Sequence, residues 1–245
     1  MSEQDIIQYL SSRRFTVLWS GGKDSTATLL WVLNNIQHED FNVLYVEVTG
    51  NTHYLNIQYV YDVARELGIK HKLIHAKREI DFYEHIKKWG IPGPTWSRRW
   101  CTREFKQKLF RKYSYRIQVL GVKHSDSYRR KKIMAIDKFH SSDNIVVKPI
   151  IRWSTKQVLQ YIKQNDIPLC ECYKLFGHSG NCMFCPFHST HQIVRTLNDP
   201  EFGPKIIDAL LSQRSPKVQN YVAYRYWKRA IGQTTLVSSH FSEKS

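Results

Sequence analysis

Five cysteines stand in the chain, Cys101, Cys170, Cys172, Cys182 and Cys185, and four of them fall within sixteen residues. An odd number of thiols crowded beside Gly and Pro points to metal ligation rather than a disulfide framework. Cys182-Met-Phe-Cys185, followed by Pro186, is a chelating pair that puts two sulfurs on one metal or cluster and needs further ligands. "CMFCPFHSTH" (182–191) also offers two histidines, so a closed tetrahedral zinc site competes with an iron–sulfur cluster. The spacer between the cysteine pairs is too short for a conventional zinc finger. The bland alternative is a set of thiols buried for packing alone.

The second stretch with chemistry in it is "WSGGKDS" (19–25), where an apolar run breaks into two glycines and a lysine and then resumes as "TATLLWVL". A Gly-rich turn from strand to helix lets backbone N–H groups approach phosphate oxygens at the positive end of a helix. Ser20, Gly21, Gly22, Lys23, Asp24 and Ser25 are therefore candidate phosphate ligands, with Lys23 adding a full charge. The spacing of a Walker A loop is absent. Asp24 opens the helix, where a carboxylate either holds Mg²⁺ or caps the first turn. Arg98, Arg99, Arg103 and Lys106 surround Cys101, as an anion site or as a solvated basic face. Arg129 offers a guanidinium fork suited to phosphate, with Ser127 beside it. His124 is incidental, and no general base is positioned by sequence logic.

The elements that must position these residues alternate through the first two-thirds of the chain. "FTVLW" (15–19), "NVLYVEV" (42–48), "KHKLIHA" (70–76), "RIQVLGV" (116–122) and "NIVVKPII" (144–151) read as strands. "DSTATLLWVLNN", "HYLNIQYVYDVARELG", "DFYEHIKKWG" and "REFKQKLFRKYS" read as helices, and Ser154 caps the helix "TKQVLQYIKQND". This alternation predicts an α/β fold, a mostly parallel doubly wound sheet with helices on both faces. From residue 166 the pattern becomes a cysteine-rich region with the helices "PKIIDALLSQR" and "KVQNYVAYRYWKRA". The expected division is a nucleotide-binding domain over 1–165 and a cysteine-rich, helical region over 166–245.

Lys and Arg outnumber Asp and Glu by 37 to 21, a net charge of +16 with a pI near 9.7. That surplus favours polyanionic partners, and "YRRKK" (128–132) and "YVAYRYWKRA" (221–230) add aromatic rings for stacking on bases. The second of these reads equally well as core aromatics with a snorkelling basic edge. No apolar run approaches the roughly 20 residues that span a bilayer. The start, "MSEQDIIQYLSSRR", has the character of neither a signal nor a transit peptide, so a cytoplasmic protein without membrane association is expected.

The segment Ser20–Ser25 resembles the PP-loop of the adenine nucleotide α-hydrolase-like superfamily, which holds ATP pyrophosphatases, tRNA-thiolating enzymes and sulfonucleotide reductases. Further along, the chain resembles the phosphoadenosine phosphosulfate (PAPS) reductase family in particular. "VEVTGNT" (46–52) stands where that family has a strand ending in Asp-Thr-Gly, and "RRWCTREFK" (98–106) resembles its arginine–cysteine–lysine element. "GVKHSDSYRR" (121–130) resembles its Gly-x-Arg-x-x-Glu-Ser segment, and "KPIIRW" through "GNCMFCPF" resembles the approach to its terminal Cys-x-x-Cys-Pro. The likeness covers about residues 13–190 and implies a Rossmann-like sheet and nucleotide contacts at Ser20–Ser25, Thr49, Gly50, Arg99, Lys106, Gly121, Ser127 and Arg129. It also implies a [4Fe-4S] cluster on Cys101, Cys170, Cys182 and Cys185, with zinc as the alternative and Cys172 competing with Cys170. Glu47, Lys123 and Asp126 depart from the family pattern while keeping its charge sign. No cysteine follows Cys185 to match the reductases' nucleophile.

An ATP pyrophosphatase that adenylates a substrate for sulfur transfer, on tRNA or DNA, is therefore expected, with Lys23, Asp24 and Arg129 at the reacting phosphate. It would use ATP, Mg²⁺, the cluster and a sulfur donor protein. Two alternatives are a PAPS or adenosine phosphosulfate (APS) reductase using an external thiol and a non-catalytic nucleic-acid-binding regulator. The acceptor, the donor and any homodimer stay open.

Overall fold

Phe15–Trp19 is buried at every position, the pattern of a strand covered on both faces. The computed structural model describes residues 2–93, 99–138, 143–212 and 225–226. In chain order they form α1 (Glu3–Leu10), β1 (Phe15–Trp19), α2 (Lys23–Asn35), β2 (Phe41–Val46), α3 (Tyr54–Glu66), β3 (Leu73–Ala76) and α4 (Phe82–Trp89). There follow α5 (Trp100–Thr102), a π-helical turn over Arg103–Gln107, α6 (Lys108–Tyr113) and β4 (Ile117–Leu120). The remainder is β5 (Ile136–Lys138), β6 (Ile145–Val147), α7 (Thr155–Gln164), α8 (Cys172–Phe176), α9 (Thr190–Leu197) and α10 (Phe202–Leu211).

The sheet order is β3-β2-β1-β4-β6-β5, parallel except for the edge strand β5, which runs antiparallel to β6. From β1 the chain moves outward through β2 to β3, then returns to the other side of β1 as β4. Strand order therefore reverses between β1 and β4, and the carboxyl ends of those strands border the crevice where α/β folds bind ligands. The register places Leu18 of β1 beside Leu120 of β4 and Leu44 of β2, so the turns that leave these strands open on one edge. Among the described residues no helix is long and apolar enough to cross a membrane.

Ser154 caps α7 as its sequence predicts, accepting from Gln157 N while Gln157 reaches back to it. Several boundaries differ from the sequence expectation. "KHK" (70–72) is a 3₁₀ turn ahead of β3, and the basic helix after Arg99 is interrupted by the π-turn. β5 has no sequence counterpart, and α8 and α9 emerge from the stretch read as cysteine-rich loop. The predicted helix "KVQNYVAYRYWKRA" lies outside the described residues apart from Arg225 and Tyr226. Ile167, Cys170, Phe176, Met183, Phe184 and Ile206 belong to the same buried cluster as Phe15, Val17 and Tyr45.

Behind α8 and α9 the rings of His178 and His188 stack at 4.1 Å. Burial pushes His178 down to about 4 and His188 well below the ordinary histidine range. Unfolding returns both to about 6.5, so the unfolded chain takes up protons first as pH falls. Their contribution is complete above pH 6.5 and is lost as the pH drops towards 4. The thermal midpoint is expected to fall steadily from pH 7 to pH 5, and His178→Gln is expected to flatten that slope when melting is followed by circular dichroism.

Candidate active site

The turn after β1 carries the first part of the site. Gly21 has φ +69, a conformation L side chains resist, and a Cβ there would meet Asn56 Nδ2 at 2.5 Å. The loop is then laced to the helix it opens: Ser25 Oγ donates to Gly22 O at 2.9 Å and accepts from Ser20 N at 3.1 Å. Trp19 Nε1 donates to Thr26 Oγ1 at 3.0 Å beneath it. The amide of Lys23, at the first turn of α2, donates to the hydroxyl of Tyr173 at 2.9 Å, which brings α8 against the loop. Across the crevice, Gly121 follows β4 so closely that a Cβ would sit 2.5 Å from Asp24 O and 2.7 Å from Ser25 N.

A cavity of ≈ 180 Å³ opens over these ends of β1, β2 and β4. Leu18, Leu44, Val46, Phe110, Leu120 and Val122 give it apolar walls, while Ser20, Ser25, Lys106, Gly121 and Asn181 supply its polar lining. A flat heteroaromatic ring suits the first set and phosphate oxygens the second.

Lys106 joins this cavity to the thiols. Its Nζ donates to Asn181 Oδ1 at 3.2 Å, the atom that Cys182 Sγ approaches at 4.0 Å, and it interacts electrostatically with Cys182, Cys185 and Cys101. Burial alone pushes the ammonium down, but the three sulfurs outweigh it and hold the lysine above its ordinary range. Burial raises the thiols of Cys101 and Cys185, the latter to about 12, with Cys182 adding to both. Arg99 also faces Cys101, and its guanidinium lies 4.7 Å over the ring of Phe187.

Cys170 has its own set of partners. Its Sγ lies 3.5 Å from Ser179 O and 3.7 Å from Leu55 O, and it shares a hydrogen bond with Cys172. That bond lowers Cys170 and raises Cys172, so Cys170 ionises first. Among the described residues, no three His, Cys, Asp or Glu side chains are grouped to hold a single metal ion. His188 is engaged by Tyr226, 3.1 Å from its Nδ1, rather than by Cys182. A mononuclear zinc site draws its sulfurs into one tight tetrahedron, whereas a cluster takes thiolates at separate corners. Cys101, Cys182 and Cys185 interact electrostatically with one another and with Lys106.

Two buried asparagines weld the thiol loop to the phosphate loop. Asn51 accepts from Phe184 N at 2.7 Å, donates to Phe184 O at 3.0 Å, and its own carbonyl accepts from Met183 N at 2.8 Å. Asn56 donates to Ser179 O at 2.7 Å and Ser20 O at 3.2 Å, and accepts from Tyr45 Oη at 2.8 Å. Thr52 Oγ1 donates to Asn181 O at 2.9 Å.

Other anticipated residues have different surroundings. Thr49 Oγ1 donates to Arg78 O, and Gly50, at φ +79, packs against the Asp81 carboxylate; neither lines the cavity. Glu47 pairs with His75 at 2.8 Å, and that contact lowers its carboxyl. Ser127 is exposed, at the start of a 3₁₀ turn over Tyr128–Lys132. The side chain of Arg129 and all of Arg98 lie outside the described residues. The guanidinium tied to this edge is that of Arg130, paired with Asp126. Lys123 joins both halves of the crevice, pairing with Asp24 and, at 2.8 Å, with Asp126.

The model of the phosphoadenosine phosphosulfate reductase domain family matches residues 14–186, more than half of the chain. The chain belongs to that family. No curated protein matches it. PAPS reductase from Candida auris, in a phosphate complex, is 19% identical over 71% of this chain and 85% of that one, with a TM-score of 0.52. That likeness establishes the fold, as a Rossmann-like PP-loop sheet. FMN adenylyltransferase from Candida glabrata, with FAD and pyrophosphate, is 12% identical over 71% of this chain and 60% of that one, with a TM-score of 0.47. The U34-tRNA thiolase NcsA from Methanococcus maripaludis, with its [4Fe-4S] cluster, is 15% identical over 96% of this chain and 78% of that one, with a TM-score of 0.48.

Gly121→Ala is expected to push the new methyl into the backbone at Asp24 and Ser25, destabilising the fold by about 1–3 kcal/mol. Adenine nucleotide affinity should fall by at least tenfold, as read by titration calorimetry. Asn51→Ala is expected to leave the amide and carbonyl of Phe184 unpaired at about 2–4 kcal/mol. Its signature is faster alkylation of Cys182 and Cys185 at unchanged secondary structure.

Proposed function

We propose that this PAPS reductase-family chain is a PP-loop enzyme that activates a substrate with an adenine nucleotide and delivers sulfur to it from the thiol side of the cavity. The observation that carries this is Lys106, which lines the cavity, shares Asn181 Oδ1 with Cys182 and interacts electrostatically with Cys101 and Cys185. The adenine ring lies between the apolar walls, and the phosphates meet the amides of Gly21 and Gly22, the Lys23 ammonium and the hydroxyls of Ser20 and Ser25. With ATP, a substrate oxygen attacks the α-phosphorus and pyrophosphate leaves; a sulfur nucleophile then displaces AMP from the adenylated substrate. Lys106 orients the incoming sulfur and balances its charge.

Cys101, Cys182 and Cys185 would hold a [4Fe-4S] cluster, which supplies a soft iron site for a sulfur ligand. The net charge of +16 supports a polyanionic acceptor, tRNA or DNA. A second reading, a reductase of PAPS or APS using an external thiol, is favoured by the family itself. In that reading the same lysine faces the sulfonate.

Pyrophosphate release from ATP, measured with and without tRNA or DNA on anaerobically prepared protein, is expected to rise with the accepting polymer. Cys101→Ser, Cys182→Ser and Cys185→Ser should each lower bound iron and acid-labile sulfide, whereas Cys172→Ser should not. PAPS turnover without pyrophosphate release selects the reductase; absence of both reactions in iron-loaded protein contradicts the proposal.

A further inference from the structure

Asp24 is the carboxylate of the phosphate turn, and each of its oxygens accepts from a lysine. Oδ2 accepts from Lys23 Nζ at 2.7 Å and Oδ1 from Lys123 Nζ. Lys123 is 0% exposed, and its counter-charges are Asp24 and, at 2.8 Å, Asp126. A buried ammonium that loses one carboxylate is left with charge the protein interior does not screen. A divalent cation on Asp24 would displace Lys23 and stand against the buried Lys123 ammonium, adding repulsion. The turn therefore does not fit the Mg²⁺ expected at Asp24.

We propose that this chain binds the phosphates of its adenine nucleotide with no protein-held divalent cation. Lys23 and Lys123 bring the positive charge a metal would bring, and Asp24 is the spacer between them. Lys123 acts through Asp24, as a positioning residue. Among the described residues, the charges that face one another here are Lys23, Lys123 and Arg130 against Asp24 and Asp126, a balance of 3 − 2 = +1. Lys106 on the cavity wall raises it to +2. The turn thus attracts phosphate unaided, with the amides of the α2 terminus adding to the same sign. The inference rests on the reading of the cavity as an adenine nucleotide site.

The test is equilibrium binding of ATP and of adenosine 5′-phosphosulfate to the full chain, by titration calorimetry in excess EDTA and in excess Mg²⁺. The dissociation constants are expected to agree within about threefold between the two buffers, and Lys23→Ala should weaken both ligands about tenfold or more in EDTA. Tightening by Mg²⁺ of tenfold or more, for either ligand, overturns the inference and leaves the nucleotide site standing. Binding of neither ligand in either buffer overturns the nucleotide site, and this inference with it. Mn²⁺ resonance gives an independent readout in the presence of adenosine 5′-phosphosulfate. The free-ion signal should persist on adding protein; a loss of signal that Asp24→Asn restores overturns the proposal.

Discussion

The site depends on the buried amides of Asn51 and Asn56, each fully enclosed and each bonded to segments far away in sequence. A buried amide left unpaired costs about 1–3 kcal/mol, so neither loop can settle without the other. The β2–α3 connection and the first turn of α3 are the shared frame: Asn51 and Thr52 fix the loop that carries Cys182 and Cys185, and Asn56 fixes Ser20 of the phosphate turn. Tyr173 adds a third tie at the first amide of α2. The phosphate turn and the thiol loop are consequently held on one frame.

Two lysines then divide the electrostatic work. Lys123, sealed between Asp24 and Asp126, fixes how α2 meets the end of β4. Lys106 reaches from the π-turn after Arg99 to the cavity on one side and to three sulfurs on the other. A π-turn inserts an extra residue into the helical ladder and redirects side chains, a feature found often at functional sites. Here it falls on Arg103–Gln107 and so contains the lysine that links the two halves.

Strong local signals were legible in the sequence. The apolar run Phe15–Trp19 is β1 to the residue, and the Gly-Gly break marks the strand-to-helix turn because no other residue takes the φ of Gly21 so readily. Ser154 was legible as a cap because its partner Gln157 stands at the matching position. β5 was not, being a three-residue edge strand without full burial. α8 and α9 were hidden in a stretch whose Cys, Gly and Pro read as loop, although the capping pair Ser189 and Gln192 was there to find. At the site, the roles of Asn51, Asn56 and Tyr173 follow from contacts across more than a hundred residues, which periodicity does not encode. Lys123 left a trace, since it and Asp126 depart together from the family pattern.

The account stands on the phosphate turn and the thiols meeting across Lys106 and Asn181. The rate at which iodoacetamide alkylates Cys182 in metal-free, reduced protein, with and without saturating adenine nucleotide, reads this directly. A nucleotide seated between Ser20 and Lys106 covers the approach to Cys182, so the rate is predicted to fall tenfold or more. An unchanged rate at proven saturation would show that the nucleotide and the thiols occupy separate sites, and would contradict the account.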